Sequence, residues 1–384
     1  LNNSKDTEVI ELLLTHMSLT SINKKDRWGL TLLDWAYYNI RSPLRQEIIA
    51  LLRSKGGKAN CFDENGRHVG DGNGDLNNQG IKITSLAEKY GTPFFIYDTG
   101  LMKERYNTFF DTIKEVQGNI HYAVKANDAL SVISYFAKLG CGADIVSIGE
   151  FEKCIAAGMS PQKIIFSGVG KSKTEMAAGI ENNILSFNVE SESELLRLEE
   201  VAREISAIAP IAIRFNPGVD AGEHEFIKTG RKSDKFGVSI EEAMQLTTKC
   251  IKSQHLKIVG LTCHIGSQIT ELEKFKEAAT QSLKLLVDVE TLGANLDFID
   301  MGGGLGVTYV DEKTIQPYEL IKCYEEIFQS RPERLIVEPG RSISANAGIL
   351  LTKVEYKKNS FLITDAAMND LLRPALYQAQ HDVW

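Results

Sequence analysis

Long apolar runs are missing from this sequence. None approaches the ~20 residues a membrane-spanning helix needs, and no signal-peptide core opens the chain. Paired cysteines are missing too. Cys61, Cys141, Cys154, Cys250, Cys263 and Cys323 are scattered, with no C-x-x-C pair and no metal-ligand spacing, which predicts reduced thiols in a cytoplasmic protein and no metal site. A basic excess is absent: the net charge is -8, which argues against nucleic acid or an anionic membrane as the main partner. Position 1 is Leu, so the expectation is that the sequence does not begin at a natural start codon. What remains is a chain of 384 residues, 43% of them hydrophobic, enough to bury a substantial core. That length suggests two or three domains, although a barrel can take up about 250 residues as one.

Residues 1–60 read as a helical segment similar to ankyrin repeats. Val9–Leu14 and Glu47–Leu52 are two similar helical stretches, and Gly29, Thr31, Leu33 and Ala36 stand where the T-P-L-H-x-A signature would place them. Leu32 replaces the usual Pro and the spacing exceeds one repeat, so an insertion is expected; a plain helical extension is the competing reading. Residues 61–80, rich in Gly, Asn and Asp, read as a linker.

From residue 81 the pattern is regular. After a leader over 81–100, strand-like runs at His121–Ala126, Ala143–Ser147, Ile164–Ser167, Leu185–Val189, Ile211–Asn216, Val259–Ile265, Phe298–Met301 and Leu335–Glu338 alternate with amphipathic stretches such as Ser193–Ile205, Glu271–Leu292 and Pro317–Gln329. Eight apolar strands alternating with helices predict an α/β fold, a (β/α)8 TIM-type barrel over residues 101–347. Beyond it the alternation stops. Gly348–Lys357 and Ser360–Ala366 read as successive strands, so 348–384 is expected to start a β-rich second domain that remains incomplete.

In such a barrel, chemistry sits at the carboxyl ends of the strands. Unusual polar residues gather there: Lys125, Asp144 leading to Glu150, Arg214 and Asn216, His264 with Ser267 and Gln268, Gly302-Gly303-Gly304, and Glu338-Pro339-Gly340-Arg341. Each alone has a bland reading, such as a snorkelling lysine, a core histidine, a tight glycine turn or an exposed ion pair. Their placement, one set per strand end, argues for a site. The set matches pyridoxal 5′-phosphate. That cofactor needs a lysine amine, preferably of lowered pKa, and a carboxylate at the pyridine nitrogen, for which Glu338 is the candidate. It also needs close backbone N–H groups for the phosphate, for which Gly302–Gly304 are suited, with Ser267 and Arg341 as further donors. His264 suits the ring face. Two other motifs fail: in Gly168-Val-Gly170-Lys171-Ser172 the first glycine of a P-loop would fall on Ile165, and in Gly302–Val307 the third glycine of a dinucleotide fingerprint is Val307.

Over roughly residues 75–384 the chain resembles the fold-type III pyridoxal-phosphate decarboxylases, and within them the diaminopimelate decarboxylases. The motifs are Tyr-Ala-Val-Lys125-Ala-Asn, Asp144-Ile-Val-Ser-x-Gly-Glu, His264-Ile-Gly-Ser-Gln, Gly302-Gly-Gly-Leu-Gly, Glu338-Pro-Gly-Arg and Met368-Asn-Asp-Leu-Leu-Arg-Pro-Ala-Leu-Tyr377. The resemblance implies that Lys125 holds the cofactor, that His264 stacks on it, and that Gly302–Gly304 and Glu338–Arg341 bind it. It also implies that Arg341, Arg373 and Tyr377 contact substrate, and that two subunits share their sites as a homodimer. An arginine at 373 suits the distal carboxylate of diaminopimelate better than the cationic end of ornithine or arginine.

The expected reaction is decarboxylation of meso-2,6-diaminopimelate to L-lysine and CO2, the last step of lysine biosynthesis. The family's Cys-Glu pair does not occur in the sequence. The chain is therefore expected to be a fragment, and to turn over poorly by itself. Two alternatives stand beside this reading: a decarboxylase for another amino acid of the ornithine or arginine type, and a non-catalytic barrel regulator that uses the ankyrin-like segment to dock a protein partner.

Overall fold

The computed structural model of the chain describes residues 18–24, 31–33, 36, 45–58, 77–78, 81–220, 236–309, 312–329, 331–381 and 383. The chain divides into two compact units, Tyr97–Gly348 and a second made of Leu1–Ile96 with Ile349–Trp384. The first is a closed barrel of eight parallel strands: β1 (Asn119–Ala123), β2 (Gly142–Ile145), β3 (Ile164–Phe166), β4 (Ser186–Val189), β5 (Ala209–Arg214), β6 (Leu256–Thr262), β7 (Phe298–Asp300) and β8 (Arg334–Val337). Neighbours in sequence are neighbours in space, and β8 closes the ring on β1 through Ile336 beside Asn119 and Val337 beside Ile120.

Helices follow the first seven strands: α1 (Leu130–Lys138), α2 (Ile148–Ala156), α3 (Lys173–Glu181), α4 (Glu192–Glu204), α5 (Ile240–Lys252), α6 (Leu272–Thr291) and α7 (Pro317–Ile327). The turn from strand to helix is written in a repeated local signal. Ser147, Ser172, Ser191 and Ser239 each precede a helix, and each side chain accepts a hydrogen bond from the backbone N–H of a glutamate three residues on. Such a cap is worth about 1 kcal/mol. At Ser172 and Ser239 the glutamate returns the bond to the cap residue, closing a capping box. Before α2 and α4 it reaches one residue further back instead, Glu150 to the Val146 N–H and Glu194 to the Glu190 N–H, both at the rim of the barrel.

Midway along the strands Ile165, Ala212, Val259, Phe298 and Ile336 meet in one buried cluster, a side chain from each of five strands. Phe298 is bulky, and Gly260 makes room for it: a Cβ there would stand 2.4 Å from its ring.

The sequence reading carried the first strand to Ala126. Strand β1 instead ends at Ala123, and Val124–Ala126 form a 3-10 turn, which takes Lys125 out of the ladder and into the mouth of the barrel. The single strand expected over 348–357 is two: Gly348–Leu351 pairs with Phe94–Tyr97, and Val354–Lys358 forms an antiparallel hairpin with Phe361–Thr364.

In the second unit, Thr31, Leu33 and Ala36 of the ankyrin-like signature are buried, and the Thr31 hydroxyl donates to the Lys58 carbonyl at 2.7 Å. Asn23 bridges the same segment, donating to Gly56 O and accepting from Lys58 N. The expected helix at 47–52 lies within Arg45–Ser54. The expected helix at Val9–Leu14, Gly29, and most of the expected linker 61–80 lie outside the described residues. At the end of that linker Asn77–Asn78 pairs with Ile81–Lys82. The five described cysteines are buried and free. No helix among the described residues is long and apolar enough to cross a membrane.

Candidate active site

A cavity of about 160 Å³ opens at the carboxyl ends of the strands. Lys125, Asp144, His264 and Glu338 line it together with Arg214, Asn188, Ser167 and Phe236. Lys125 Nζ donates to Asp144 Oδ2 at 2.5 Å; half of the lysine side chain remains accessible, whereas the aspartate is 1% exposed. The lysine was expected to have a lowered pKa. Desolvation in the barrel mouth does work in that direction, but the Asp144 and Glu338 carboxylates outweigh it and hold the ammonium above its ordinary value. For Asp144, burial would raise the pKa, but the Lys125 ammonium outweighs it and keeps the carboxyl below the usual range.

Glu338 stands at the end of β8, its N–H bonded to Gly302 O at 2.7 Å. Burial, reinforced by the Asp144 and Asp300 carboxylates, pushes its carboxyl well above the usual range. Asp300 is pushed up as well, chiefly by burial, while accepting from Gly302 N at 2.8 Å and Thr262 Oγ1 at 3.2 Å. His264 is neutral: burial first, then the Arg214 and Lys125 cations, bring it down to about 3. Its Nδ1 accepts from Gly303 N at 3.2 Å, which places the ring proton on Nε2.

Ser267, Arg341 and the glycine triplet form an adjoining group on the rim. Arg341 donates to Ser267 Oγ at 3.0 Å and to the Tyr309 hydroxyl at 2.9 Å. A Cβ on Gly303 would lie 2.3 Å from Glu338 O, and one on Gly304, at φ +103°, 2.5 Å from Gly266 O. The triplet thus allows the loops after β6, β7 and β8 to meet backbone to backbone. It is not the open phosphate cup that was expected, because the Gly302 and Gly303 N–H groups are already bonded to Asp300 and His264. Pro339 accepts from Ala123 N at 3.2 Å, and Gly340 caps the helix Arg341–Ser344, its Cα facing Ala123 and Ala126. Arg373 and Tyr377 belong to the other unit, on the helix Arg373–Tyr377.

The cavity fits pyridoxal phosphate by what it leaves unsatisfied. Asp144 Oδ1, Asn188 Oδ1 and Glu338 Oε1 are buried acceptors with no hydrogen-bond partner. Each costs about 1–3 kcal/mol until a donor meets it. In pyridoxal phosphate a ring N–H would answer Glu338, and a carbonyl carbon would answer the Lys125 amine.

Sequence reasoning missed Ser167, Asn188 and Glu190. The signal was present in Ser186-Phe-Asn188-Val-Glu190: three polar residues at the two-residue period of one strand face, alternating with apolar ones.

Comparisons with known proteins agree with this geometry. The profile of the pyridoxal-dependent decarboxylase pyridoxal-binding domain matches residues 99–345. The diaminopimelate decarboxylase of Pseudomonas aeruginosa is 44% identical over 309 residues, 79% of this chain and 74% of that protein. That of Vibrio cholerae is 44% identical over 315 residues, 81% of this chain and 76% of that one. Among solved structures, diaminopimelate decarboxylase from Helicobacter pylori in complex with L-lysine superposes with a TM-score of 0.76 at 43% identity, over 78% of this chain and 76% of that one. Fold, cavity and kinship converge: the chain belongs to the diaminopimelate decarboxylase family of pyridoxal-phosphate-dependent enzymes.

Proposed function

We propose that this chain decarboxylates meso-2,6-diaminopimelate to L-lysine and CO2 at the barrel mouth. The observation that carries the reading is the Lys125–Asp144 pair set opposite Glu338, whose buried Oε1 has no partner. Pyridoxal phosphate, when bound, supplies the electron sink that accepts the electrons left by departing CO2.

The chain's own residues do the rest. Lys125 anchors the cofactor through its amine, and Asp144 orients that amine and stabilises its charge. Glu338 would hold a proton at the ring nitrogen; burial, with the Asp144 and Asp300 carboxylates, keeps its own carboxyl well above the usual range. His264 presents a neutral imidazole of fixed tautomer to the ring face, so it adds no positive charge to the cavity. Ser267, Gly304, Gly340 and Arg341 offer donors to the phosphate, with Pro339 shaping their turn and Gly302 and Gly303 setting the backbone approach. Arg341, Arg373 and Tyr377 take the substrate; a guanidinium fork suits the second carboxylate of diaminopimelate.

The same reading includes a homodimer with shared sites and a cytoplasmic location, the latter in keeping with the free cysteines among the described residues. It divides the chain into an ankyrin-like segment 1–60 able to dock a protein partner, a linker 61–80, a leader 81–100, the barrel 101–347 and a β-rich region 348–384. The buried Thr31, Leu33 and Ala36 support the first of these.

The test is release of lysine and CO2 from meso-diaminopimelate with added pyridoxal phosphate, beside ornithine and arginine as competitors. Arg373→Ala is expected to raise KM for diaminopimelate about tenfold or more. Preference for ornithine or arginine would overturn the substrate assignment.

A further inference from the structure

Behind the cavity wall lies a chain of four buried charges that the mechanism does not use. Lys171, 1% exposed, donates to Glu194 Oε1 at 2.7 Å and to the carbonyls of Gly168 and Asn188 at 2.6 and 2.8 Å, so all three ammonium protons are taken. Glu194 Oε2 accepts from the N–H of Glu190 at 2.8 Å. Glu190, its side chain also 1% exposed, then reaches toward the barrel mouth. Its Oε1 accepts from Gly168 N at 2.9 Å and from Arg214 Nη1 at 3.3 Å, and its Oε2 accepts from Gly237 N at 3.1 Å. One carboxylate thereby ties together the loop after β3, the end of β5 and the 236–238 segment.

A buried carboxylate is costly unless fully paired, and removing one partner of such a pair strands the other. The arginine is the informative partner. Arg214 lines the same cavity as Asp144 and Glu338, each of which carries a buried oxygen with no hydrogen-bond partner. A guanidinium has five donors and would ordinarily claim such oxygens. It is held on its own side instead. Glu190 bonds it, and the Phe236 ring lies 5.0 Å from its central carbon, a cation–π distance, with Phe236 fixed in turn by Asn216 Nδ2 to its carbonyl at 2.7 Å.

We propose that Glu190 is a positioning residue for this site: it keeps Arg214 against the cavity wall, so that Asp144 and Glu338 stay open to Lys125 and to the cofactor. The inference rests on the decarboxylase reading. It specifies what holds the acceptors open and names a residue that contacts neither reacting group.

The test is a double-mutant cycle of Glu190→Gln and Arg214→Gln in the full chain. Three quantities are read: equilibrium binding of pyridoxal phosphate by fluorescence, kcat and KM for diaminopimelate, and the thermal midpoint. Gln keeps the size of Glu190 but removes the charge. Glu190→Gln is expected to weaken cofactor binding about tenfold and to lower kcat with little change in KM. Adding Arg214→Gln to it should cause no further loss of binding, because the freed guanidinium is the cause of the damage. Additive losses, or wild-type binding by Glu190→Gln, would overturn the proposal. Should Glu190→Gln fail to fold, Glu190→Asp carries the test: it keeps the charge but withdraws it from Arg214, must show a milder form of the same loss, and overturns the proposal if it binds as wild type does. The binding arm uses no substrate. A wild-type protein that binds pyridoxal phosphate but leaves diaminopimelate untouched would sink the substrate assignment while the cycle still decides the role of Glu190.

Discussion

Midway along its strands the barrel is built from Ile165, Ala212, Val259, Phe298 and Ile336; at and just beyond their carboxyl ends it is built from Lys125, Asp144, Glu190, Arg214 and Glu338. The two layers obey opposite rules. In the first, each side chain gains by leaving water and by close packing, and nothing is left wanting. In the second, buried charges are brought together and some acceptors stay unsatisfied. Stability and chemistry are carried by different layers of the same barrel, so substitutions in one layer should leave the other layer's property largely intact.

Lys125→Ala separates the two layers most strongly. Turnover is expected to fall roughly a thousandfold or more, far beyond the loss of kcat that any truncation in the apolar layer causes. Mass spectrometry after borohydride reduction should find the cofactor on the Lys125 peptide of wild type and nowhere in the variant. Phe298→Ala is the mirror image. It should cost about 3–5 kcal/mol in urea unfolding, with kcat of the folded fraction near wild type; a large loss of kcat at unchanged stability would show that the layers are not separable.

His121 breaks the division between the layers: it is a polar residue buried at 3% exposure in strand β1, well below the mouth. Burial is the main cause that brings its pKa down to about 4. An unfolded chain takes up a proton near 6.5, which the folded one refuses until about 4. The unfolded state therefore binds more protons in that window, and stability falls as pH drops from 6.5 to 4. The contribution is on the order of 3 kcal/mol. Urea midpoints of wild type and His121→Gln should converge toward the variant's favour across that window; the opposing titrations of Asp300 and Glu338 occur in both proteins and cancel in the difference. The smallest effect is expected for Gly303→Ala, whose Cβ would lie 2.3 Å from Glu338 O. The backbone must shift, at about 1–3 kcal/mol, and cofactor affinity measured by fluorescence should suffer more than the melting temperature.

Much of this was legible in the sequence. The eight apolar runs announced the barrel because each is buried on both faces, and Lys125, Asp144, His264 and Glu338 stood out as polar residues at the ends of such runs. Three things were not legible, for physical reasons. The end of β1 depends on a hydrogen bond from Ala123 N to Pro339 O, just past the end of the distant β8. The occupation of the Gly302 and Gly303 N–H groups depends on side chains brought in by β6 and β7. The tie from Glu190 to Arg214 and Gly237 joins β4 to segments that only the closed ring brings near. Local pattern reports which face a residue occupies, but not which partner arrives there.

The ring is closed by its last strand: β8 docks on β1, and only then does Glu338 face Lys125. A growing polypeptide must therefore wait for its eighth strand before the two ends of the site meet. Pairing between segments so far apart in the chain is entropically slow. The lysine that will anchor the cofactor thus emerges from the ribosome long before its carboxyl counterpart, and the site cannot be complete until the eighth strand has docked.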